Sequence, residues 1–290
     1  MKNVKKGHEN PVVCLDAGHY GKYNRSPVVP AYYESEVMWK YHLMLKEELE
    51  KRGMEVTTTR ADQSKDMGLK ARGKASKDCD LFLSNHSNAA SSEGVDYPVA
   101  YHLYPDSGTQ IDDQSKELAG LLAPVVAQVM GTKQAGRIAT RKGSGDWNGD
   151  GAMNDNYYSV LNGARLVDTP GIILEHSFHT NTRAAKWLLK DENLRKLAQA
   201  EADVIAKWFG VEEEKVQTFT LELPVLRRGM KGDAVRGLQA QLVGYGYAIE
   251  VDGSYGPATE NAVECYQEDN GLTVDGIAGP KTRKHMNGLE

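Results

Sequence analysis

From residue 11 to residue 210, short apolar runs alternate with helix-length amphipathic stretches, and that alternation leaves few folds open. "PVVCLDAG", "MEVTTT", "DLFLSNHS", "YPVAYHLY" and "TPGIILEHS" read as strands. In "SEVMWKYHLMLKEELEKRG", Val37, Tyr41, Leu45 and Leu49 recur at four-residue spacing, and Gly53 stands where the helix should stop. The pairs Glu47–Lys51 and Glu48–Arg52 put the acid four residues ahead of the base, the favourable order on a helix. Residues 113–130 read as a helix with Leu118, Leu121, Leu122, Val125 and Val129 inward and Pro124 bending it. "DENLRKLAQAEADVIAKWFG" sets Leu194, Leu197, Val204, Ile205 and Trp208 on one side. The pattern predicts an α/β domain: a mostly parallel twisted sheet flanked by helices.

After Gly210 the sequence turns acidic and loses helical period in "VEEEKVQTFTLELP". This divides the chain into a domain at 1–210, a linker at 211–222 and a small C-terminal domain at 223–290. The last part contains a near-repeat, "VDGSYGPATENAV" (251–263) and "VDGIAGPKTRKHM" (274–286). Each copy reads as a tight Asp-Gly turn feeding a helix that starts at Pro. With "DAVRGLQAQLVGYG" ahead of them, where Val235, Leu238, Gln241 and Leu242 are in helical register, they predict a compact three-helix unit.

Charge and cysteine content narrow the partners. A net charge of -5 over 290 residues lacks the basic face that phosphate neutralisation requires, so nucleic acid is not expected. Cys14, Cys79 and Cys265 are far apart in sequence and form no CxxC, which suits reduced, structural thiols. No window approaches a transmembrane span, and "MKNVKKGHENPVVCLD" lacks the apolar segment of a secretory signal. Synthesis in the cytoplasm is the expectation.

Ligands of an open parallel sheet gather beyond the carboxyl ends of its strands. Here Val12–Asp16 runs into His19, Leu81–Asn85 into His86, and Ile172–Leu174 into Glu175, while Glu34 opens the helix that returns from the first strand. Two imidazoles and a carboxylate with a fourth position free make a catalytic zinc site, and Glu175 would then serve as general base and acid. Each residue also has a plainer reading. His19 could hydrogen-bond a glycine turn, His86 could cap a strand, and Glu34 could answer a helix dipole, with Glu36 as its rival. His176 and His179 sit where they could ligate, or support the ligands. "RKGSGDW" is not GxSxG, and HExxH is absent, so neither a serine elbow nor a helical zinc-protease motif is present.

"LDAGHYG", the glutamate at the helix start, "DLFLSNHSNA" and "GIILEHSF" resemble, in order, the motifs of the type 3 zinc-dependent N-acetylmuramoyl-L-alanine amidases. The resemblance implies His19, Glu34 and His86 as ligands of one catalytic Zn2+ and Glu175 as the catalytic glutamate. Counting back from Gly53 places Glu34, not Glu36, at the ligand position. Ala17 and Tyr20 replace a proline and a glycine usual in the family, which bears on loop shape, and Arg72 is expected to be structural. The segment "LRRGMKGDAVRGLQAQL…VDGIAGPKT" is similar to a three-helix peptidoglycan-binding domain. Together the two halves imply a cell-wall enzyme that cuts the amide between the muramic lactyl group and L-alanine. The setting implied is a phage or prophage endolysin, or a bacterial autolysin. Apart from this resemblance, Asp146, Asn148, Asp150 and Gly151 fit the start of a calcium loop at 146–157, but Tyr157 stands where the bidentate carboxylate belongs.

Overall fold

The computed structural model describes residues 3–105, 109–146, 149, 151, 155–211 and 225–286. The chain divides into two compact units, Met1–Glu214 and Lys215–Glu290. Among its described residues the first holds six strands, β1 (Val12–Ala17), β2 (Glu55–Thr58), β3 (Leu81–Asn88), β4 (Val99–His102), β5 (Arg137–Ala139) and β6 (Gly171–Phe178). They form one sheet in the order β2-β1-β3-β6-β4-β5. Every neighbouring pair is parallel except β4 against β6, so the sheet is mixed but mostly parallel, as the alternating pattern predicts.

One face of the sheet is closed by α1 (Glu34–Lys51), α3 (Gln110–Met130) and α6 (Asp191–Phe209), whose apolar sides pack with Val13, Leu15, Leu83, Ile172 and Leu174 in the main core. The other face meets α4 (Ser159–Arg165) over Cys14, Phe82 and Ile173, and α2 (Leu69–Lys74) packs against α4. These two short helices touch backbone to backbone. A Cβ on Gly73 would lie 2.0 Å from the Val160 carbonyl oxygen, and one on Gly163 would lie 2.2 Å from that of Lys70. Helix α5 (Thr182–Leu188) follows β6 and leads into α6.

Three details of the sequence reading need correction. In α3, Leu121 is exposed and Val125 and Val129 are only partly buried, because the inward stripe runs through Ile111, Ser115, Leu118, Leu122, Ala123, Val126 and Met130. Hydrophobicity had outvoted helical phase. In α6 the same stripe includes Glu201, fully buried, while Val204 lies at its edge. Strands β3 and β6 also continue past His86 and Glu175, since the two keep pairing as far as Asn88 and Phe178.

The second unit contains α7 (Asp233–Gly244), α8 (Pro257–Asp269) and α9 (Pro280–Met286) around Leu226, Leu238, Leu242, Val263, Tyr266 and Met286. Gln239, not Gln241, is the buried glutamine of α7. Its side-chain nitrogen donates to Asp252 Oδ1 at 2.8 Å, and its oxygen accepts the Gly253 N–H at 2.7 Å. Gln267 of α8 repeats this on the second turn, donating to Asp275 Oδ1 at 2.8 Å and accepting from Gly276 N at 3.0 Å. Each copy of the repeat is thus a turn wrapped around one buried amide.

Candidate metal centre

His19, Glu34 and His86 come together at the carboxyl end of β1 and β3, each offering one ligand atom, all within 4.8 Å of one another. Glu34 is the first residue of α1, 1% exposed, where the helix N-terminus favours a carboxylate. Its Oε1 accepts from the Ser87 N–H at 3.0 Å and lies 2.8 Å from His86 Nδ1. Its Oε2 lies 3.3 Å from His19 Nε2 and accepts from Asn24 Nδ2 at 2.7 Å. Glu36 is exposed on the far side of the helix start, outside the cluster.

The loop that carries His19 is held by its backbone. His19 has φ of 60°, a left-handed conformation that a non-glycine residue adopts only under constraint. Arg72, 2% exposed, supplies that constraint by donating to the carbonyls of Ala17 (3.0 Å) and His19 (3.2 Å). Arg60 donates to Ala17 as well, and buried Asp16 ties Arg72 to Ser84 and Thr59. Gly18 is needed for close approach: a Cβ there would stand 2.5 Å from His86 Nδ1. The structural role expected of Arg72 is therefore visible in its partners.

Glu175 pairs with His86 across the β3–β6 ladder, so the two side chains leave the same face of the sheet side by side. Its Oε2 is sealed from solvent and has no hydrogen-bond partner among the described residues. Burial raises its pKa, the charge of His86 opposes the rise and that of Glu34 adds to it, leaving the carboxyl up at about 7. Burial also acts on His86, against its charged form, but the hydrogen bond and charge of Glu34 outweigh it and lift His86 to about 9. Burial would raise Glu34 too; hydrogen bonds from His19 and His86 hold it well below the usual carboxylate range instead. One carboxyl stays ionised and its neighbour is poised near neutrality.

His176 and His179 are committed elsewhere. His176 is fully buried, with Nδ1 donating to the His86 carbonyl at 3.0 Å and Nε2 2.8 Å from Glu201 Oε1. That contact explains the buried glutamate of α6. His179 Nδ1 lies 3.0 Å from Ser87 and 3.9 Å from Glu34 Oε2. Reading the sequence missed Asn24, whose amide spans Glu34 and His19 (3.0 Å to Nε2), because nothing marks an asparagine in an aperiodic loop. It also missed Glu201, although a charge on the Leu194–Leu197–Ile205 stripe is a signal. Of the calcium loop, Asn148 and Asp150 lie outside the described residues. Both Asp146 oxygens already accept backbone N–H groups, from Gly149 and Gly151, and nothing supports calcium there.

A mostly parallel α/β sheet with two histidines and a carboxylate converging at one rim defines a class: sheet proteins built around a single metal site with a free carboxylate beside it. Within that class, the chain belongs to the N-acetylmuramoyl-L-alanine amidase family, whose sequence model matches residues 13–207. Residues 231–286 match a putative peptidoglycan binding domain. The catalytic domain of CwlV, an N-acetylmuramoyl-L-alanine amidase of Bacillus (Paenibacillus) polymyxa var. colistinus, shares the fold at 23% identity with a TM-score of 0.55, over 70% of this chain and 99% of that one. Among characterised proteins, a zinc D-Ala-D-Ala carboxypeptidase of Streptomyces albus G is 48% identical over 60 residues, 20% of this chain and 24% of its own. A probable N-acetylmuramoyl-L-alanine amidase of Bacillus licheniformis is 41% identical over 69 residues, 23% of this chain and 20% of that protein. The chain therefore spans about a quarter or less of the length of these curated relatives. Among the described residues, no helix is long and apolar enough to cross a membrane.

Proposed function

We propose that the chain is a zinc-dependent N-acetylmuramoyl-L-alanine amidase that hydrolyses the bond between the lactyl group of N-acetylmuramic acid and L-alanine of the stem peptide. The observation that carries the reading is the pairing of His86 with Glu175 across one ladder, which sets an unpartnered carboxylate beside the His19–Glu34–His86 cluster. The donor set fits zinc. Three protein ligands of this kind leave a position open, and the Ser87 N–H fixes the Glu34 oxygen that faces His86 while the other oxygen faces His19. When bound there, Zn2+ supplies a Lewis acid that lowers the pKa of water to about 7. Glu175 would accept the proton of the attacking water and return it to the departing alanine nitrogen, a role open to a carboxylate whose Oε2 has no other partner among the described residues. The second unit, by its match to a peptidoglycan binding domain, holds the chain on the wall.

The biological setting proposed is lysis, by a phage or prophage endolysin synthesised in the cytoplasm or by a bacterial autolysin; both use the same reaction. Mass spectrometry of a wall digest tests the reaction. Stems released with free N-terminal L-alanine are expected. A new terminus elsewhere in the stem would mean a zinc peptidase, the chemistry named for the Streptomyces relative. An undigested wall with bound protein would leave a wall-binding protein only.

A further inference from the structure

A short ribbon carrying Arg141 and Lys142 is linked to β4 through a line of tyrosines. Residues Lys142 and Asn156 form an antiparallel bridge, and the Tyr157 N–H donates to the Arg141 carbonyl at 2.8 Å. On β4, Val99 pairs with Glu175 and Tyr101 with Ile173, so Tyr101 leaves the same sheet face as Glu175, one row lower. From there a line of tyrosines leads outward. The rings of Tyr101 and Tyr158 are 5.0 Å apart, those of Tyr158 and Tyr157 are 5.3 Å apart, and the Arg141 guanidinium lies 3.5 Å above Tyr157. Burial raises the Tyr158 hydroxyl well above its usual range, and the charge of Glu175 adds to the shift, which agrees with Glu175 being close.

Stacking uses the face of a guanidinium and leaves its N–H edge free, and that edge matches a carboxylate with two parallel hydrogen bonds. Arg141 is exposed; its side chain hydrogen-bonds the Tyr158 hydroxyl, which leaves its other N–H groups to a ligand, and among the described residues no carboxylate lies within ion-pair distance of it. Tyr157 beneath it is 51% exposed, so both remain accessible from solvent. We propose that Arg141, seated on Tyr157, holds a carboxylate of the stem peptide on the leaving-group side of the scissile amide, and so selects stems whose residue after L-alanine keeps its α-carboxyl free. The inference rests on the amidase reading and sharpens it. An extended chain advances about 3.5 Å per residue, so a group on the residue next to alanine projects only a short way from the reacting bond. An amidated stem presents a neutral carboxamide at the same point and forfeits the charge-assisted pair.

Two muramoyl peptides that differ only in α-carboxyl or α-carboxamide at the second residue provide the test, with the zinc-loaded full chain. The free acid is expected to show about tenfold or greater kcat/KM, mostly through KM. Arg141→Gln should bring the acid down to the amide and leave the amide unchanged, while Arg141→Lys keeps part of the preference. Lys22→Met is the control, since Lys22 lies over Tyr33 on the β1–α1 loop and should not alter the ratio. Hydrolysis of both substrates at equal rates by the parent chain overturns the inference alone. So does a preference that survives Arg141→Gln or disappears with Lys22→Met. Hydrolysis of neither substrate overturns the amidase reading and this inference with it.

Discussion

Both units bury polar side chains, and they do so in opposite ways. In the C-terminal unit, Gln239 and Gln267 each close on an Asp-Gly turn, with the amide nitrogen and oxygen both occupied. In the sheet unit, Glu34, Glu175 and His86 crowd together with one carboxylate oxygen unpartnered and all three groups displaced from their ordinary acidities. A buried amide whose hydrogen bonds are complete specifies a shape and needs nothing more. A buried carboxylate left without a partner beside such a cluster, as Glu175 is, stays incomplete until another group meets it. The contrast teaches where to look for chemistry: in burial that is left unfinished, rather than in burial as such.

Four measurements on three substitutions would break or sharpen that contrast. The largest effect is expected from Glu175→Gln, which should lower kcat about 10³-fold while zinc stays stoichiometric by elemental analysis. Next is Gln267→Leu, which leaves the Gly276 and Asp275 N–H groups without their acceptor. It should destabilise the small unit by about 2–3 kcal/mol, seen as loss of amide protection in residues 225–286 by hydrogen exchange, with hydrolysis of a small soluble substrate retained. If hydrolysis fell equally, the two kinds of burial would not be separable.

Gly18→Ala should weaken zinc binding about tenfold or more by pressing on His86, without abolishing the fold. A competition titration against a zinc-binding dye reads it directly. The smallest effect concerns metal-free stability. The folded Glu175 carboxyl sits above its unfolded value of 4.5, so the stability it lends is complete below about 4.5 and is lost as pH rises through about 7. Metal-free Glu175→Gln should therefore gain on the parent chain by roughly 1–3 kcal/mol between those limits and keep the gain at pH 8. Parallel melting curves in the presence of chelator at pH 5 and pH 8 would show it; a gap that does not widen with pH refutes the assignment.

The parts of this arrangement that are periodic or punctuated were legible in the sequence. Strand and helix alternation gave the sheet, and the placing of His19, His86 and Glu34 at element ends brought them to one rim. What phase alone decides was read less well: Leu121 was assigned inward because it is apolar, though its position on α3 points it to solvent. What depends on partners distant in sequence was missed. Glu201 is intelligible only once His176 is opposite it, 25 residues away, and Asn24 only once α1 delivers Glu34. The glutamines of the tail escaped because the repeat draws the eye to the turns, and each amide that fastens a turn lies on the helix before it.

The β1–α1 loop owes its form to Arg60 and Arg72 gripping the carbonyls of Ala17 and His19, atoms that every residue type possesses. The outward side chain of Tyr20 contributes nothing to that grip, whereas the Tyr23 ring stacks on the His19 imidazole at 4.9 Å. The position of Tyr20 can therefore be varied without re-aiming the imidazole, and an engineer choosing where to diversify this chain could begin there.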